Sequence, residues 1–517
     1  MFLLLLTSFV AAHLNPVKSC GYSLMKRPKL KVPRLSTLDR FRYSIFPAFS
    51  AYRPINIVFV TDQIDDAPIS NEHKIMLKEI VLPNLTAWTR SVISVNGPPV
   101  VKGLETNTCG ADYPIPEKYV NTTTVADLLI FASAEYNLGV GYIAQAGACS
   151  LNFFNSRPNS GLIQFNTAYM SIDEQMFDQH IRVALHELFH VLAFSSDLYK
   201  YFATGNGSNT TTYLDQGRHY LNTTHLVNFA RSHFNAPELA GVLLEDEGGD
   251  GSAGSHFEKA VYGNDIMTSE ISLEMPVSGL ILALLVDSGW YQISPGYAEQ
   301  LWWGKNAGPD FQKLLCKNDY GEFCDIDKST NCTADFRSGG LCAKGPFTNN
   351  CHVKTYDASF FCDQRYVFQG SVQGRRGSQG STSRCFEVMD EDASPNFACF
   401  PSSCTHNRTV DLQVNGHREV CSISGEVLKF DGFSVKCPDL ERFCGFRDLN
   451  ACPRDCNGNG YCRLSGQCSC RYGYTGVNCE KERFCAVTRS EVCQRLFKLP
   501  NVVTASAVDR ESFASRS

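Results

Sequence analysis

Apolar residues in the sequence group into segments whose spacing predicts buried strands and helices from residue 55 onward. Residues 55–60, INIVFV, form a short run rich in β-branched side chains, which is typical of a buried strand. Residues 73–92 predict a helix, and residues 177–194 are apolar at helical spacing. Residues 278–290 form another segment typical of a buried helix, with a wholly apolar centre at residues 280–286. Strands mixed with long helices predict an α+β domain.

A different pattern marks the first 50 residues. Residues 1–12, MFLLLLTSFVAA, have the length and apolar character of a signal peptide and end in small residues, so we expect them to be removed. A buried strand at the start of the chain is the alternative interpretation. Residues 13–50 are rich in Lys and Arg, contain Asp39 as the single acidic residue and show no sustained periodicity. This composition is typical of a linker or a pro-segment.

Net charge and hydropathy restrict the partners of the chain. A formal charge of -6 over 517 residues provides no basic surface for nucleic acid or for an anionic membrane. Beyond residue 12 no stretch reaches the ~20 apolar residues that span a bilayer. The end of the chain, FASRS, lacks the hydrophobic tail of a GPI signal. We therefore expect a secreted, extracellular protein whose partners are other proteins, with retention at the cell surface as the alternative.

The cysteines also favour export. Of the 23 cysteines, only Cys20, Cys109 and Cys149 precede residue 316. An oxidising compartment pairs such a set, and the dense cysteines beyond residue 300 are typical of a disulfide-stapled module with many loops. Sites of the form Asn-x-Ser/Thr, which accept N-glycans in a secretory pathway, occur at Asn84, Asn121, Asn206, Asn209, Asn222, Asn331 and Asn407.

A small separate module is predicted near the C-terminus. Residues 452–479 space six cysteines as C-x3-C-x5-C-x5-C-x-C-x8-C, and this pattern resembles an EGF-like domain, in which three disulfides replace a core too small to fold alone. The preceding RDLNA lacks the acidic cluster of calcium-binding versions, so we expect no calcium there. The resemblance implies extracellular protein partners. The disulfide candidates are Cys452, Cys456, Cys462, Cys468, Cys470 and Cys479.

The segment RVALHELFHVLAF contains His186, Glu187 and His190 in an HExxH arrangement. Two histidines four residues apart lie on one face of a helix, so both imidazoles can reach one tetrahedral zinc ion. A bound zinc ion lowers the pKa of its water to about 7. Glu187 can then take a proton as that water attacks a peptide carbonyl. The alternative, a helix with solvated polar positions, fits poorly because the neighbouring residues are apolar.

A zinc site of this kind needs a third protein ligand. In the compact arrangement this ligand follows the second histidine by six residues, a position that Ser196 occupies here. The other common choice is a glutamate about twenty residues on, but no glutamate occurs between Glu187 and Glu238. Composition alone leaves four candidates open: His219, His225, His233 and His256.

The segment LLEDEGGDGSAGSHFEKAVYGNDIMTSEI, residues 243–271, resembles the corresponding part of the leishmanolysin family. In that family a long insertion separates HExxH from a third zinc histidine in a GSAGSH sequence, which is His256 here. Met267 matches the Met-turn, an apolar floor beneath the metal. WWGKNAG and Cys316 continue the similarity, which runs from residue 55 to residue 444. The resemblance implies a metzincin-type zinc metalloendopeptidase that binds one zinc ion and cleaves proteins or peptides.

Two positions depart from the pattern of that family. Ala193 stands where the family usually has glycine, at the point where the helix must turn away, and a Cβ in a left-handed conformation costs on the order of 1 kcal/mol. The family also holds an inhibitory cysteine in its pro-segment, where this chain offers only Cys20. One hypothesis is that the Cys20 thiolate caps zinc in a latent form; an unpaired or intermolecular Cys20 is the other. The remaining cysteines are even in number, and we predict that Cys109 pairs with Cys149.

The sequence therefore predicts an α+β, metzincin-type catalytic domain with an HExxH helix, then a disulfide-rich C-terminal domain and a small EGF-like domain. We expect an active endopeptidase. An extracellular adhesion or binding protein with a purely structural zinc is the competing hypothesis, but such a protein needs no base like Glu187 beside its zinc ligands. The predicted boundaries are 51–195 and 196–300 for the two catalytic subdomains, 301–445 for the cysteine-rich domain, 446–482 for the EGF-like domain and 483–517 for a tail.

Overall fold

The structure is a computed structural model. It describes residue 30 and residues 51–483, with gaps at 98, 102–107, 110–112, 121, 153, 203–211, 249–251, 273, 295, 315, 317–320, 326–330, 346, 363–376, 381, 391–394, 406 and 445–451. The predicted signal peptide, the basic segment with Cys20 (apart from residue 30) and the predicted tail beyond residue 483 lie outside the described residues.

Strands and helices alternate in the first part of the described chain. Residues 57–60 form a strand, and residues 71–92 are helical without interruption. These are segments in which apolar spacing predicts a strand and a helix. The elements in chain order are β1 (Arg53–Pro54), β2 (Ile57–Val60), α1 (Asp62–Asp65), α2 (Asn71–Ile75), a π-helical segment (Met76–Val81), α3 (Leu82–Val92), β3 (Ile93–Val95), β4 (Leu128–Glu135), β5 (Ala144–Leu151), β6 (Pro158–Asn166) and α4 (Phe177–Leu192).

A four-stranded sheet with the order β2-β4-β6-β5 supports the longest helix, α4. Strands β2, β4 and β6 are parallel, whereas β5 is antiparallel to β6 and lies at the edge. Helix α4 packs on this sheet at Gly161 of β6, where an added Cβ would come within 2.4 Å of Cγ1 of Val191. Glycine at position 161 therefore lets the helix approach the sheet closely.

The middle part of the chain completes the same hydrophobic core. The elements are β7 (Thr212–Asp215), β8 (Arg218–Leu221), α5 (Thr224–Phe234), β9 (Val242–Leu243), α6 (Lys259–Tyr262), α7 (Gly279–Asp287) and β10 (Gln292–Ile293). Helix α7 is buried on nearly all sides, as its apolar composition predicts. Strand β10 pairs with β3, which also pairs with β1, so the chain returns to its first part. Strands β7, β8 and β9 form a separate antiparallel sheet.

Antiparallel strands and disulfides dominate residues 316–444. The elements are β11 (Asn331–Cys332), β12 (Ser338–Lys344), β13 (His352–Phe361), β14 (Ser383–Asp390), β15 (Pro395–Cys404), β16 (Val410–Val414), β17 (His417–Cys421), β18 (Val427–Phe430), β19 (Phe433–Lys436) and α8 (Leu440–Cys444). Strands β11, β12 and β13 form one sheet, and the other six form a second sheet with the order β17-β16-β15-β14-β19-β18. The disulfides are Cys316–Cys351, Cys324–Cys342, Cys332–Cys385, Cys362–Cys399, Cys404–Cys444 and Cys421–Cys437.

Residues 452–483 form a small unit, here called the EGF-like module. Its interior consists mainly of cystines, as expected for a fold with too few apolar residues for a core. Its strands are β20 (Gly460–Cys462), β21 (Cys468–Cys470), β22 (Tyr474–Thr475) and β23 (Lys481–Glu482), and its disulfides are Cys452–Cys462, Cys456–Cys468 and Cys470–Cys479. Within the described part of the chain, no helix has the length and hydropathy needed to cross a bilayer.

Candidate metal centre

Helix α4 carries three of the predicted site residues: His186, Glu187 and His190. All three side chains are buried, and the two imidazole centroids are 4.8 Å apart, as expected for residues one turn apart. The helix is enclosed by the core from Arg182 to Leu192. The enclosed helix therefore holds its polar side chains in the interior of the protein rather than in solvent.

The end of α4 differs from what we expected at Ala193. Its φ is −161° and its ψ is −32°, and an extended φ of this kind is open to any residue, so the expectation of left-handed strain was wrong. The Ala193 N–H still donates to the Phe189 carbonyl at 3.0 Å, and the Phe194 N–H donates to the same carbonyl at 2.9 Å. The chain thus leaves the helix here without needing glycine.

His256 reaches the helix from a loop held by main-chain hydrogen bonds. The Glu245 N–H donates to the His256 carbonyl at 3.0 Å, and the Gly254 N–H donates to the Glu245 carbonyl at 2.9 Å. The Tyr199 hydroxyl donates to the Gly254 carbonyl at 3.0 Å, which joins the loop to the segment that follows α4. These contacts hold residues 252–256 in place, and the His256 side chain is fully buried.

The three histidines converge at their Nε2 atoms. The Nε2 atom of His186 lies 3.1 Å from that of His190 and 3.3 Å from that of His256, and the remaining pair is 3.2 Å apart. Three nitrogens that bind one tetrahedral zinc ion at about 2.0–2.1 Å would be about 3.3 Å from each other. The triangle therefore has the dimensions of three ligands to a single zinc ion.

Main-chain carbonyls set the tautomer of each imidazole. In every case Nδ1 lies at hydrogen-bond distance from a carbonyl oxygen, which can only accept, so Nδ1 carries the proton. Each Nε2 then carries a lone pair directed at the common centre, an arrangement that fits a bound cation. The acceptors are the carbonyls of Ile266 for His186, of Phe194 for His190 at 2.7 Å and of Ser252 for His256 at 3.1 Å.

Burial keeps the His186 imidazole neutral. Desolvation lowers the pKa of His186 from 6.5 to about 4, and the hydrogen bond to the Ile266 carbonyl offsets only part of that change. A histidine must be deprotonated to bind a metal ion. His186 is therefore in the form of a ligand at neutral pH.

Met267 lies in a turn that is hydrogen-bonded to both segments that carry the histidines. Its side chain is fully buried, and its carbonyl accepts a hydrogen bond from the Phe257 N–H at 2.9 Å. Phe257 directly follows His256, and Ile266, which precedes Met267, provides the carbonyl that accepts from Nδ1 of His186. The turn thus links the orientation of one histidine to the position of another.

The other three candidate histidines lie outside this cluster. His219 is exposed on β8, and the side chain of His225 is 63% exposed with Nδ1 2.7 Å from Oδ1 of Asp287. His233 is buried near the end of α5, where its Nε2 donates to the Trp303 carbonyl at 2.8 Å. Of the four histidines that composition left open, His256 is the one whose ring nitrogen converges on those of the HExxH pair.

The buried, neutral His233 makes stability dependent on pH. Burial lowers the pKa of His233 from 6.5 to about 4, so between these values the unfolded state binds more protons than the folded state. The contribution of neutral His233 to the free energy of unfolding is therefore fully present above pH 6.5. It is lost as the pH falls toward 4, at about 1.4 kcal/mol per pH unit. We expect wild type to lose about 2 kcal/mol more than His233→Gln between pH 6.5 and 5, measured as the free energy of unfolding in urea. Equal losses in both proteins would contradict this assignment.

Sequence reasoning missed the groups that orient the imidazoles. These three groups are main-chain carbonyls, which every residue has, so no residue type marks them. Asp265, an acidic residue directly before Ile266 and Met267, was missed as well. Its Oδ1 accepts from the Met267 N–H at 2.9 Å, and burial raises the pKa of its carboxyl to about 7. The predicted pair of Cys109 and Cys149 is a disulfide in the structure.

Known proteins share this sequence pattern. The family model described as leishmanolysin matches residues 60–346, which is more than half of the chain and includes Glu187 and the three clustered histidines. The family that this model describes belongs to the class of zinc metallopeptidases. Within that class the chain belongs to the leishmanolysin family. A second model, described as a teneurin-like EGF domain, matches residues 452–482.

Individual relatives agree with this family. Leishmanolysin-like peptidase of Drosophila melanogaster is 30% identical over 415 residues, covering 59% of this chain and 61% of the fly protein. Ciliated left-right organizer metallopeptidase of Mus musculus is 26% identical over 347 residues, covering 60% of this chain and 49% of the mouse protein. Leishmanolysin-like peptidase of Caenorhabditis elegans is 29% identical over 260 residues, covering 40% of this chain and 39% of the worm protein. The chain spans less than two thirds of the length of each of these relatives.

Proposed function

We propose that the protein is a secreted zinc metalloendopeptidase in which His186, His190 and His256 hold one zinc ion. The observation that carries this proposal is the triangle of Nε2 atoms, 3.1–3.3 Å on each side, with every Nδ1 proton committed to a main-chain carbonyl. Structural zinc sites usually have four protein ligands, whereas three ligands leave a position for water or substrate. Three histidines therefore favour a catalytic zinc over a structural one.

Glu187 is the proposed general base. When bound, zinc would polarise both water and the carbonyl of the scissile peptide. The Glu187 carboxylate directly follows a ligand on the same helix and is buried, so it can take a proton from water and later deliver it to the leaving amine. Burial also excludes bulk water, which strengthens the interaction of this carboxylate with nearby protons.

The edge strand β5 is the proposed platform for an extended substrate. An edge strand presents main-chain N–H and C=O groups that can pair with another chain, and a peptide bound in this way needs no free terminus. Val191 follows His190 directly and lies over Gly161 of β6, the strand that pairs with β5. A peptide along β5 would thus run beside the helix that carries the site, as an endopeptidase requires.

Export is proposed from the disulfides. Apart from three cysteines that lie outside the described residues, all cysteines of the chain are paired, which fits an oxidising compartment. Asn222 and Asn407 are exposed and are the proposed glycan acceptors, whereas the Asn84 amide donates to the Ile80 carbonyl within a helix. Signal-peptide removal and a latency role for Cys20 stay proposals from the sequence.

We expect purified protein to cleave a denatured protein substrate, and we expect a zinc chelator to abolish this cleavage. Restoring stoichiometric zinc should restore the rate, because the neutral imidazoles form one set of ligands for the ion. The measurement is the release of peptides together with the zinc content per chain. A protein that binds one zinc ion and cleaves nothing would instead support the competing function, an extracellular binding protein with a structural metal.

A further inference from the structure

The part of the chain that the leishmanolysin model matches, residues 60–346, is here called the peptidase domain. The EGF-like module contacts this domain through buried charges. Its Arg471 is 3% exposed and lies between two acidic side chains of the peptidase domain. Nη1 of Arg471 donates to Oδ2 of Asp178 at 3.2 Å, and Nη2 donates to the Glu274 carboxylate. Asp178 is in the first turn of α4, and Glu274 follows the Met267 turn by seven residues. One side chain of the module therefore contacts both α4 and the segment that follows the Met267 turn.

Tyr461 of the module extends this contact toward the histidines. The Arg471 guanidinium lies 4.4 Å from the centroid of the Tyr461 ring, and the Arg182 guanidinium lies 3.8 Å from it. Arg182 is on α4, one helical turn before His186. The Tyr461 hydroxyl accepts from Nη1 of Arg471 at 3.1 Å and from the Met275 N–H at 3.4 Å. The ring and hydroxyl thus contact the helix and the segment after the Met267 turn together.

Main-chain hydrogen bonds like those between paired strands join the EGF-like module to the peptidase domain. The Gln300 N–H donates to the Cys462 carbonyl at 2.8 Å, and the Leu464 N–H donates to the Ala298 carbonyl at 2.8 Å. Between them, Glu299 forms an ion pair through both carboxylate oxygens with Arg182, at 2.7 and 2.9 Å. A flexibly tethered binding module would have none of these contacts, because buried charges and main-chain groups must keep their partners.

Residues 274–277 also contact Ile266, whose carbonyl orients His186. The Ile266 N–H donates to the Pro276 carbonyl at 3.0 Å, while the Ile266 carbonyl accepts from Nδ1 of His186. The Val277 N–H donates to Oε2 of Glu299 at 2.8 Å. A displacement of residues 274–277 would therefore move the carbonyl that orients His186, and outer contacts of this kind tune metal sites.

We propose that Arg471 and Tyr461 of the EGF-like module are positioning residues of the peptidase, holding α4 and residues 274–277 so that the three histidines keep their geometry. This inference rests on the proposed function. It assigns the module to the catalytic unit. Tyr461 and Arg471 are buried against the peptidase domain, so an extracellular partner would have to use other residues of the module, such as Val477, which is 82% exposed.

The test uses the full chain, loaded with zinc, as Arg471→Met, with Arg471→Lys as the conservative variant. Lys481→Met is the matched control because Lys481 is an exposed cation of the same module. We expect Arg471→Met to lower kcat by about tenfold with little change in KM, since small displacements of a catalytic geometry are costly. Zinc release to a chelator should accelerate by about tenfold. Arg471→Lys should recover part of both properties, and Lys481→Met should match wild type.

Zinc release separates this proposal from the proposed function. If wild type cleaves no substrate, the proposed function fails, but the release rate of zinc from Arg471→Met still decides the positioning role. If Arg471→Met is not secreted, Tyr461→Phe replaces it, because that change removes a single hydroxyl and keeps the ring. Release rates and kcat in either variant equal to those of Lys481→Met would overturn the proposal, whereas faster release from a folded, fully disulfide-bonded variant supports it.

Discussion

Glu187→Gln is expected to retain one zinc ion per chain and to lose at least about a hundredfold in kcat, the usual contribution of a positioned general base. The amide has nearly the volume of the carboxylate, so the buried helix around it should pack as before. It cannot accept a proton at neutral pH, so water near the metal would keep its proton. The measurements are the zinc content and kcat on a denatured protein substrate.

The combination of results makes this experiment specific. A variant that lost both zinc and activity would indicate damage to the site rather than loss of a base, so zinc content serves as the internal control. Stoichiometric zinc with activity close to wild type would contradict the role assigned to Glu187. It would leave the histidine cluster as a metal site whose chemistry depends on another group.

His256→Ala should lose zinc and activity together. The side chain provides one of three converging Nε2 atoms, and its removal leaves two ligands on one helix. Loss of an outer contact alone costs about 10- to 100-fold in metal affinity, so removal of a direct ligand should weaken binding at least as much. Competition with a chromogenic chelator would measure the change in zinc affinity.

Two other histidines are matched controls for this variant. His219→Ala and His225→Ala remove exposed imidazoles, so both proteins should bind zinc like wild type. His233→Ala removes a buried hydrogen bond to the Trp303 carbonyl and should lower stability while keeping zinc. Full zinc occupancy in His256→Ala, with an empty site in one of the others, would show that the third ligand had been assigned to the wrong segment.

Local sequence patterns predicted the elements of the peptidase part more fully than their junctions. The strand at 55–60 and the helices at 73–92 and 177–194 have strong apolar periodicity, and the structure has strand or helix in each. The end of α4 at Ala193 was expected to need a left-handed residue. Its extended φ depends on how Phe194 and the following turn pack, which no local pattern encodes.

The residues of the candidate site also differ in how far local sequence patterns predict them. His186 and His190 are visible from spacing alone because a helix brings residues four apart onto one face. His256 is separated from them by 66 residues or more, and spacing could not choose it from four histidines. Only family resemblance selected it. The carbonyls that orient the imidazoles, and the contact of Arg471 with α4, depend on tertiary packing between distant segments.

The disulfide between Cys470 and Cys479 gives this molecule an indirect dependence on redox conditions. Cys470 directly precedes Arg471, so this bridge anchors the residue that contacts Asp178 and Glu274. The proposed hydrolysis uses no sulfur, yet thiol reductants would open the bridge and release α4 from its outer support. Preparations kept in a thiol-containing buffer, or produced in a reducing cytosol, would then retain zinc poorly, and the protein would be mistaken for an inactive member of its family.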